Sequence, residues 1–318
     1  AEAFPAMISA IEQAKTSIMA EFYIWRGDRI GWKFADALIA RRRLGIRVQA
    51  LYDAWGCMDV DPLIFDTMRD EGIECIQYRP IAPWRPRWGF FRRDHRKMLI
   101  IDEHIGFVGG INLAQAYAPE SSGGLDWKDF AVEVKGPVVK DMTRLFRHTW
   151  ERTSTDEATP MPRQDSSHSP PQPSAGNTSV ALLSNNEFGQ RYLIRRNYIH
   201  AINQATRQIV IANAYFLPDR AIRRALYRAR KRGVAVTVLV PGKSDVKLVK
   251  WATNHLYGRC LRRGMRLFEF HQSMLHAKTA VIDDAWTTVG NYNLDHQSLQ
   301  FNLEVNLTIL GQEHGTTM

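Results

Sequence analysis

Cysteine is scarce: the 318 residues hold three, Cys57, Cys75 and Cys260. They form neither a CxxC pair nor a Cys/His metal pattern. A disulfide scaffold or a structural zinc site is therefore not what organises the chain, and we expect reduced, half-buried packing residues in a reducing compartment. Long apolar runs are missing as well. No stretch approaches the ~20 residues a bilayer span requires, and there is no signal-peptide pattern. The chain opens with "AEAFPAM", without an initiator methionine, so we expect residues upstream of Ala1 and, with them, a membrane anchor. Negative charge is in deficit: 42 Lys and Arg stand against 33 Asp and Glu, a net charge of +9. That balance points to an anionic partner, whether nucleic acid, a phospholipid surface or a phosphorylated substrate. What is plentiful is core material. The chain is 45% hydrophobic, ordinary for a globular protein, and long enough for two domains.

The segment 154–179, "STDEATPMPRQDSSHSPPQPSAGNTS", is rich in Pro, Ser and Thr and nearly free of large apolar residues. It cannot repay its ordering entropy and reads as a flexible linker. It divides the chain into halves, 1–153 and 180–318, that resemble each other. "AIEQAKTSIMAEFYI" from Ala10 matches "AINQATRQIVIANAYF" from Ala201, and "ALIARRRLGIRVQALYD" from Ala37 matches "ALYRARKRGVAVTVLVP" from Ala225. Several elements matching in register indicate a duplicated domain rather than a short-period solenoid. Each half alternates helix and strand. Ile18–Ile24 and Ile209–Phe216 read as strands, followed by helical runs that end at Gly45 and Gly233, then by strands Ile46–Tyr52 and Val234–Val240. The expected fold class is α/β: two pseudo-twofold-related α/β/α sandwiches with mixed sheets. "SVALLS" (Ser179–Ser184) adds a strand to the second half that the first lacks.

Each half also carries one residue set at one spacing. "DHRKMLIID" holds His95, Lys97 and Asp102; "LHAKTAVID" holds His276, Lys278 and Asp283. Strand side chains alternate faces, so each His and its Lys point the same way. Asp102 and Asp283, seven residues after each His, have the opposite parity and are expected to hold the strand end rather than the imidazole. The turns "GGIN" and "GNYN" follow, ending at Asn112 and Asn293, each 17 residues after its His. Small residues there admit a ligand to the backbone, and an Asn amide donates to an oxyanion. Aligning Gly136 with Gly311 places Asp129 on Glu304. These are the expected orienting carboxylates, Asp129 for His95 in particular. Two His, two Lys and two Asn that converge suit a phosphoryl group. One imidazole attacks phosphorus and the other protonates the leaving alcohol, while Lys and Asn hold the equatorial oxygens. No metal or cofactor is called for, because the lysines supply the positive charge.

These residues resemble the phospholipase D superfamily, whose signature of HxK, four residues, Asp, six residues and G-[GSN]-x-N is complete here from His95 to Asn112 and from His276 to Asn293. The similarity covers nearly the whole chain outside the linker. Further stretches, "RRDHRKMLIIDEHIGFVGGINL", "VPGKSD" and "MLHAKTAVIDDAWTTVGNYNLDHQS", resemble bacterial cardiolipin synthases. That resemblance implies the phospholipase D fold and a phosphatidyltransferase that forms a phosphatidyl-histidine, with His95 as nucleophile and His276 as acid/base. It also implies anionic phospholipids as partners and a peripheral place at the cytoplasmic face of the bacterial inner membrane.

A basic aromatic stretch precedes the first motif, with Trp84, Trp88, Phe90 and Phe91 interleaved among arginines that include Arg92 and Arg93. Aromatics favour a bilayer interface and arginines pair with lipid phosphates, so we expect membrane contact there. Core packing of these rings is the plainer alternative. Two competing readings are a phospholipid-hydrolysing or nucleic-acid-cleaving phosphodiesterase of the same superfamily and a non-catalytic lipid- or nucleic-acid-binding scaffold. The duplicated motif in one chain speaks against the nuclease. The intact His, Lys and Asn in both motifs speak against the scaffold.

Overall fold

The structure is a computed structural model that describes residues 2–81, 92–154, 175–185, 191–244 and 246–311, with only the backbone described for 247–249. Residues 155–174 of the expected linker, and Trp84, Trp88, Phe90 and Phe91, lie outside the described residues.

The chain forms two compact units. The first holds α1 (Ala3–Glu12), β1 (Ser17–Phe22), α2 (Arg29–Arg43), β2 (Arg47–Asp53), α3 (Leu63–Asp70), β3 (Glu74–Tyr78), β4 (Lys97–Ile101), β5 (Ile105–Gly109), β6 (Ala131–Lys135) and α4 (Val138–Thr153). Among the described residues its sheet has six strands in the order β3-β2-β1-β4-β5-β6. β1, β2 and β3 are parallel, and β4 and β5 run antiparallel. All five residues of β4 are buried, the signature of a strand covered on both faces.

The second unit repeats this order with β7 (Ser179–Asn185), α5 (Leu193–Gln204), β8 (Gln208–Asn213), α6 (Arg220–Lys231), β9 (Ala235–Pro241), α7 (Lys247–Arg262), β10 (Arg266–Phe270), β11 (Lys278–Ile282), β12 (Trp286–Gly290), α8 (His296–Gln300) and β13 (Glu304–Leu310). Its sheet is ordered β10-β9-β8-β11-β12-β13-β7, so "SVALLS" becomes the seventh, edge strand beside β13. Ile209, Ile211, Val236, Val238 and Ile282 from the sheet pack with Tyr198, Ile202 and Leu226 from α5 and α6 as one buried core.

Local chemistry explains the βαβ crossovers. Asp28 caps α2 by accepting from the Ile30 and Gly31 N–H groups, and Asp219 caps α6 through Ala221 and Ile222. Side-chain acceptors at this position satisfy otherwise orphaned helix N–H donors. Both helices carry three basic residues in the last turn, complementing the helix dipole. Gly45 (φ 86°) and Gly233 (φ 91°) then turn the chain through the left-handed region into β2 and β9. The expected strands start or end one to three residues away from the observed ones, chiefly because β1 and β8 stop before Tyr23 and Ala214 to admit the motif turns. The division into units is less simple than a cut at residue 153. Gly109–Ile111 and Ala116–Ala131 belong to the second unit, although they precede the linker.

Candidate active site

In the second unit His276 sits just ahead of β11 and is almost wholly buried. The segment before β6 lies along it. Lys128 N–H donates to Met274 O at 2.9 Å, His276 N–H donates to Lys128 O at 2.7 Å, and the Ser273 hydroxyl donates to Asp126 O at 2.8 Å. This short parallel bridge, Lys128 opposite Leu275, sets the register that brings Asp129 to the imidazole. Asp129 Oδ2 is 2.7 Å from His276 Nδ1. The carboxylate is 1% exposed, and an anion so buried is the strongest acceptor Nδ1 can find. With its proton on Nδ1 donated to Asp129, the ring leaves Nε2 as the reactive nitrogen.

Lys278 starts β11 and is buried beneath the ring. Its Nζ lies 2.6 Å from His276 Nδ1 and 3.4 Å from Asp129 Oδ2, and it donates to the His276 carbonyl. The Tyr117 hydroxyl is 3.1 Å from Nδ1, and the rings of Tyr117, Trp127 and Tyr215 surround the imidazole at centroid distances of 5.7, 5.7 and 6.3 Å. Such walls fix ring orientation and keep water off the His–Asp pair. Gly110 is required here: a Cβ added to it would stand 2.2 Å from Asp129 Oδ2. Asn293 is 3% exposed, and its Oδ1 has no hydrogen-bond partner among the described residues. A buried amide left this way suits a ligand.

In the first unit His95 is 8% exposed, with the Tyr23 ring edge-on at 4.9 Å. Lys97 begins β4, donates to the His95 carbonyl at 2.6 Å and sits over Tyr23 at 5.1 Å. The side chain of Asn112 is anchored by Ile24 N–H at 3.2 Å. Each motif lysine thus turns back onto the carbonyl of its own histidine.

Asp102 accepts from the N–H groups of Lys15, Thr16 and Ser17 and from the Thr16 hydroxyl, at 2.7–3.0 Å. Asp283 does the same for Thr206, Arg207 and Gln208. Partial burial raises both carboxyls, but the backbone donors outweigh it and hold each below its ordinary value. Both residues have positive φ, 52° and 54°, at the strand-end turn. Glu304 heads β13 fully buried and accepts from the Asn302 amide at 3.3 Å.

Two expectations are corrected. Asp129 stands on His276, not on His95, because its segment folds into the second unit. Arg93 is not a surface lipid contact: it is 6% exposed, donates to Arg79 O at 3.1 Å and lies 5.8 Å from the Trp55 ring centre. Arg92 is half-buried. Sequence reasoning missed Tyr117, Trp127 and Tyr23. Their only signal is aromatic character close to motif residues, which packing residues share. Among the described residues no helix is long and apolar enough to cross a membrane, and no cluster of three or more His, Cys, Asp or Glu is placed to hold a metal.

The family described as "Cardiolipin synthase, PLD-like domain" matches residues 7–150 and 198–316. Cardiolipin synthase B of Escherichia coli K12 is 31% identical over 334 residues, covering 99% of this chain and 76% of that protein. The major cardiolipin synthase of Bacillus subtilis is 32% identical, covering 96% of this chain and 63% of that protein. Among solved structures, phosphatidylserine synthase of Haemophilus influenzae superposes with a TM-score of 0.72 at 14% identity, over 100% of this chain and 82% of that one, a likeness of fold. With two complete HxK motifs on two mixed α/β sheets and near full-length similarity at this level, the chain belongs to the phospholipase D-like cardiolipin synthase family.

Proposed function

We propose that the protein is a phosphatidyltransferase that makes cardiolipin from phosphatidylglycerol and a second phospholipid, working at a membrane surface. The observation that carries the reading furthest is the buried Asp129–His276 pair, which presents Nε2 for proton transfer beside a buried lysine. In this scheme neutral His95 attacks the phosphorus of phosphatidylglycerol. The bond from phosphorus to the glycerol oxygen breaks, and protonated His276 gives that oxygen its proton. A glycerol hydroxyl of phosphatidylglycerol then attacks the phosphatidyl-histidine; where the second phospholipid is the donor in the first step, its own head group is the one that leaves. His276 takes the attacking hydroxyl's proton, the P–N bond breaks and cardiolipin leaves. Lys97, Lys278, Asn112 and Asn293 neutralise and orient the non-bridging oxygens, which is the main catalytic demand of phosphoryl transfer. Asp129 keeps His276 in one tautomer through both steps.

The similarity to cardiolipin synthases supports the choice of substrates. We place it peripherally at the cytoplasmic face, with Trp84, Trp88, Phe90 and Phe91 as contacts, on the ground that a phospholipid substrate lies in a membrane and that aromatics favour its interface. The test is to incubate the protein with phosphatidylglycerol vesicles, with and without phosphatidylethanolamine, and separate the lipids. Cardiolipin and free glycerol are expected from the wild type. His95→Ala and His276→Ala should each abolish turnover, and near-normal activity in either would overturn a single shared centre. Phosphatidic acid without cardiolipin would identify a hydrolase, and plasmid nicking in a parallel assay a nuclease.

A further inference from the structure

The two motifs are alike in sequence but rest on opposite kinds of ground. Beneath His95 and Lys97 five charged residues are buried: Glu21 and Asp53 at 0% exposure, Arg96 at 1%, Asp94 at 2% and Arg93 at 6%. The strand registers identify their counterparts in the second unit. Phe22 faces Lys97 as Asn213 faces Lys278, and Ser17 faces Arg47 as Gln208 faces Ala235. Tyr23 N–H donates to Arg96 O as Ala214 N–H donates to Ala277 O. Glu21, Asp53, Arg93, Asp94 and Arg96 therefore correspond to Ala212, Pro241, Met274, Leu275 and Ala277. Every charge in the first set is replaced by an apolar residue in the second.

Hydrogen bonds link the first set, although Glu21 Oε2 has no partner among the described residues. Arg96 reaches Glu21 at 3.3 Å and Thr149 of α4 at 2.7 Å. Asp94 accepts from Arg96 N–H at 3.2 Å, and its own N–H donates to Asp53 at 2.9 Å. Glu21 and Asp94 both meet Arg96, and the Asp94 charge raises the Glu21 carboxyl. Burial raises both carboxyls; the Arg96 guanidinium lowers both, and Lys97 lowers Asp94 as well.

A buried ionic network is a poor stabiliser compared with apolar residues of similar size, and the twin half shows that this fold accepts the apolar version. The network also has direct hold of the motif, since Asp94 and Arg96 flank His95 in the chain. We propose that Glu21, Asp94 and Arg96 are positioning residues that fix the His95–Lys97 turn for nucleophilic attack, a role the second unit gives to Asp129 at His276 instead. The difference makes the two half-sites chemically unequal. This rests on the assignment of His95 to the chemistry, and its test does not depend on which lipid is used.

The experiment converts the network to its twin: Glu21→Ala, Asp94→Leu and Arg96→Ala together. Thermal unfolding, together with kcat and KM on phosphatidylglycerol vesicles and on a soluble aryl phosphodiester, is compared with the wild type. The expected result is a folded protein with a Tm no lower than the wild type's, KM unchanged and kcat reduced roughly 10- to 100-fold on both substrates, the size of a small misplacement of a reacting group. A folded triple variant with wild-type kcat would overturn the proposal, because the network would then be only core filling. Should the triple variant not fold, single variants decide. Glu21→Gln keeps the side chain's shape and an acceptor for Arg96 and should retain kcat within about threefold, while Glu21→Ala should lose about tenfold or more. Equal rates for Gln and Ala, whether both high or both low, overturn it. A wild type that cleaves the aryl ester but makes no cardiolipin would refute the lipid reading alone.

Discussion

Replacing Asp129 with Asn tests the centre most directly. The substitution keeps size and shape but removes the negative charge 2.7 Å from His276 Nδ1. A hydrogen bond to a charged group contributes roughly 1.5–3 kcal/mol. At about 1.36 kcal/mol per tenfold in rate, losing that stabilisation in the transition state slows the reaction roughly 10- to 150-fold. The Asn amide can also point its NH2 at Nδ1 and impose the other tautomer, which in an Asp–His pair raises the loss toward about 10⁴-fold. Burial of Asp129, His276 and Lys278, all 7% exposed or less, argues for the upper part of this range, because no water can substitute for the lost acceptor. The assay uses two leaving groups. With phosphatidylglycerol, whose glycerol needs a proton to depart, both steps should suffer. With a p-nitrophenyl phosphodiester the first step needs no acid, so Asp129→Asn should release a stoichiometric burst of p-nitrophenol followed by slow turnover. Less than about fivefold loss on the lipid, or an equal loss of the burst phase, would refute the acid/base role of His276 and its orientation by Asp129.

Gly110→Ala should behave like an Asp129 variant without touching a charged residue, because the new Cβ would stand 2.2–2.4 Å from both carboxylate oxygens. We expect a kcat loss of about tenfold or more with an unchanged substrate KM, measured on the soluble ester. Asp102 and Asp283 have carboxyls held below their ordinary values in the folded protein. The stability they contribute is therefore fully present above the unfolded carboxyl value of about 3.9 and lost as pH falls through the folded one. Asp102→Asn with Asp283→Asn should lower the urea midpoint at pH 7 by the equivalent of about 1–2 kcal/mol per site, a modest figure because both sites are largely solvated. The difference from wild type should vanish toward pH 2, and activity per folded molecule should hold. Replacing Trp88, Phe90 and Phe91 with Ser should weaken sedimentation with anionic liposomes while cleavage of the soluble ester continues; unchanged sedimentation would refute membrane contact by this stretch.

Much of the molecule is legible in its sequence because the relevant physics is local. Helix and strand alternation follows from side-chain periodicity, the crossovers from Asp28, Asp219, Gly45 and Gly233, and the strand-end position of Asp102 and Asp283 from the two-residue period of a strand. The repeat of His, Lys and Asn at equal offsets marks the chemistry without coordinates. What chain order cannot decide is where a loop packs. Aligning the halves gave Asp129 to His95, since both lie before the linker. The structure gives it to His276, because two backbone hydrogen bonds between Lys128 and the Met274–His276 segment carry 116–131 into the second unit. The charged ground beneath His95 is likewise tertiary. Glu21, Asp53 and Asp94 are far apart in sequence, and only the pairing of β1 with β2 and β4 brings them together, out of water, against Arg96. The sequence by itself determined which residue types recur at one spacing in the two halves, and how often. The tertiary structure alone decided which carboxylate serves which histidine, since a hydrogen bond depends on distances of about 3 Å that sequence separation does not measure.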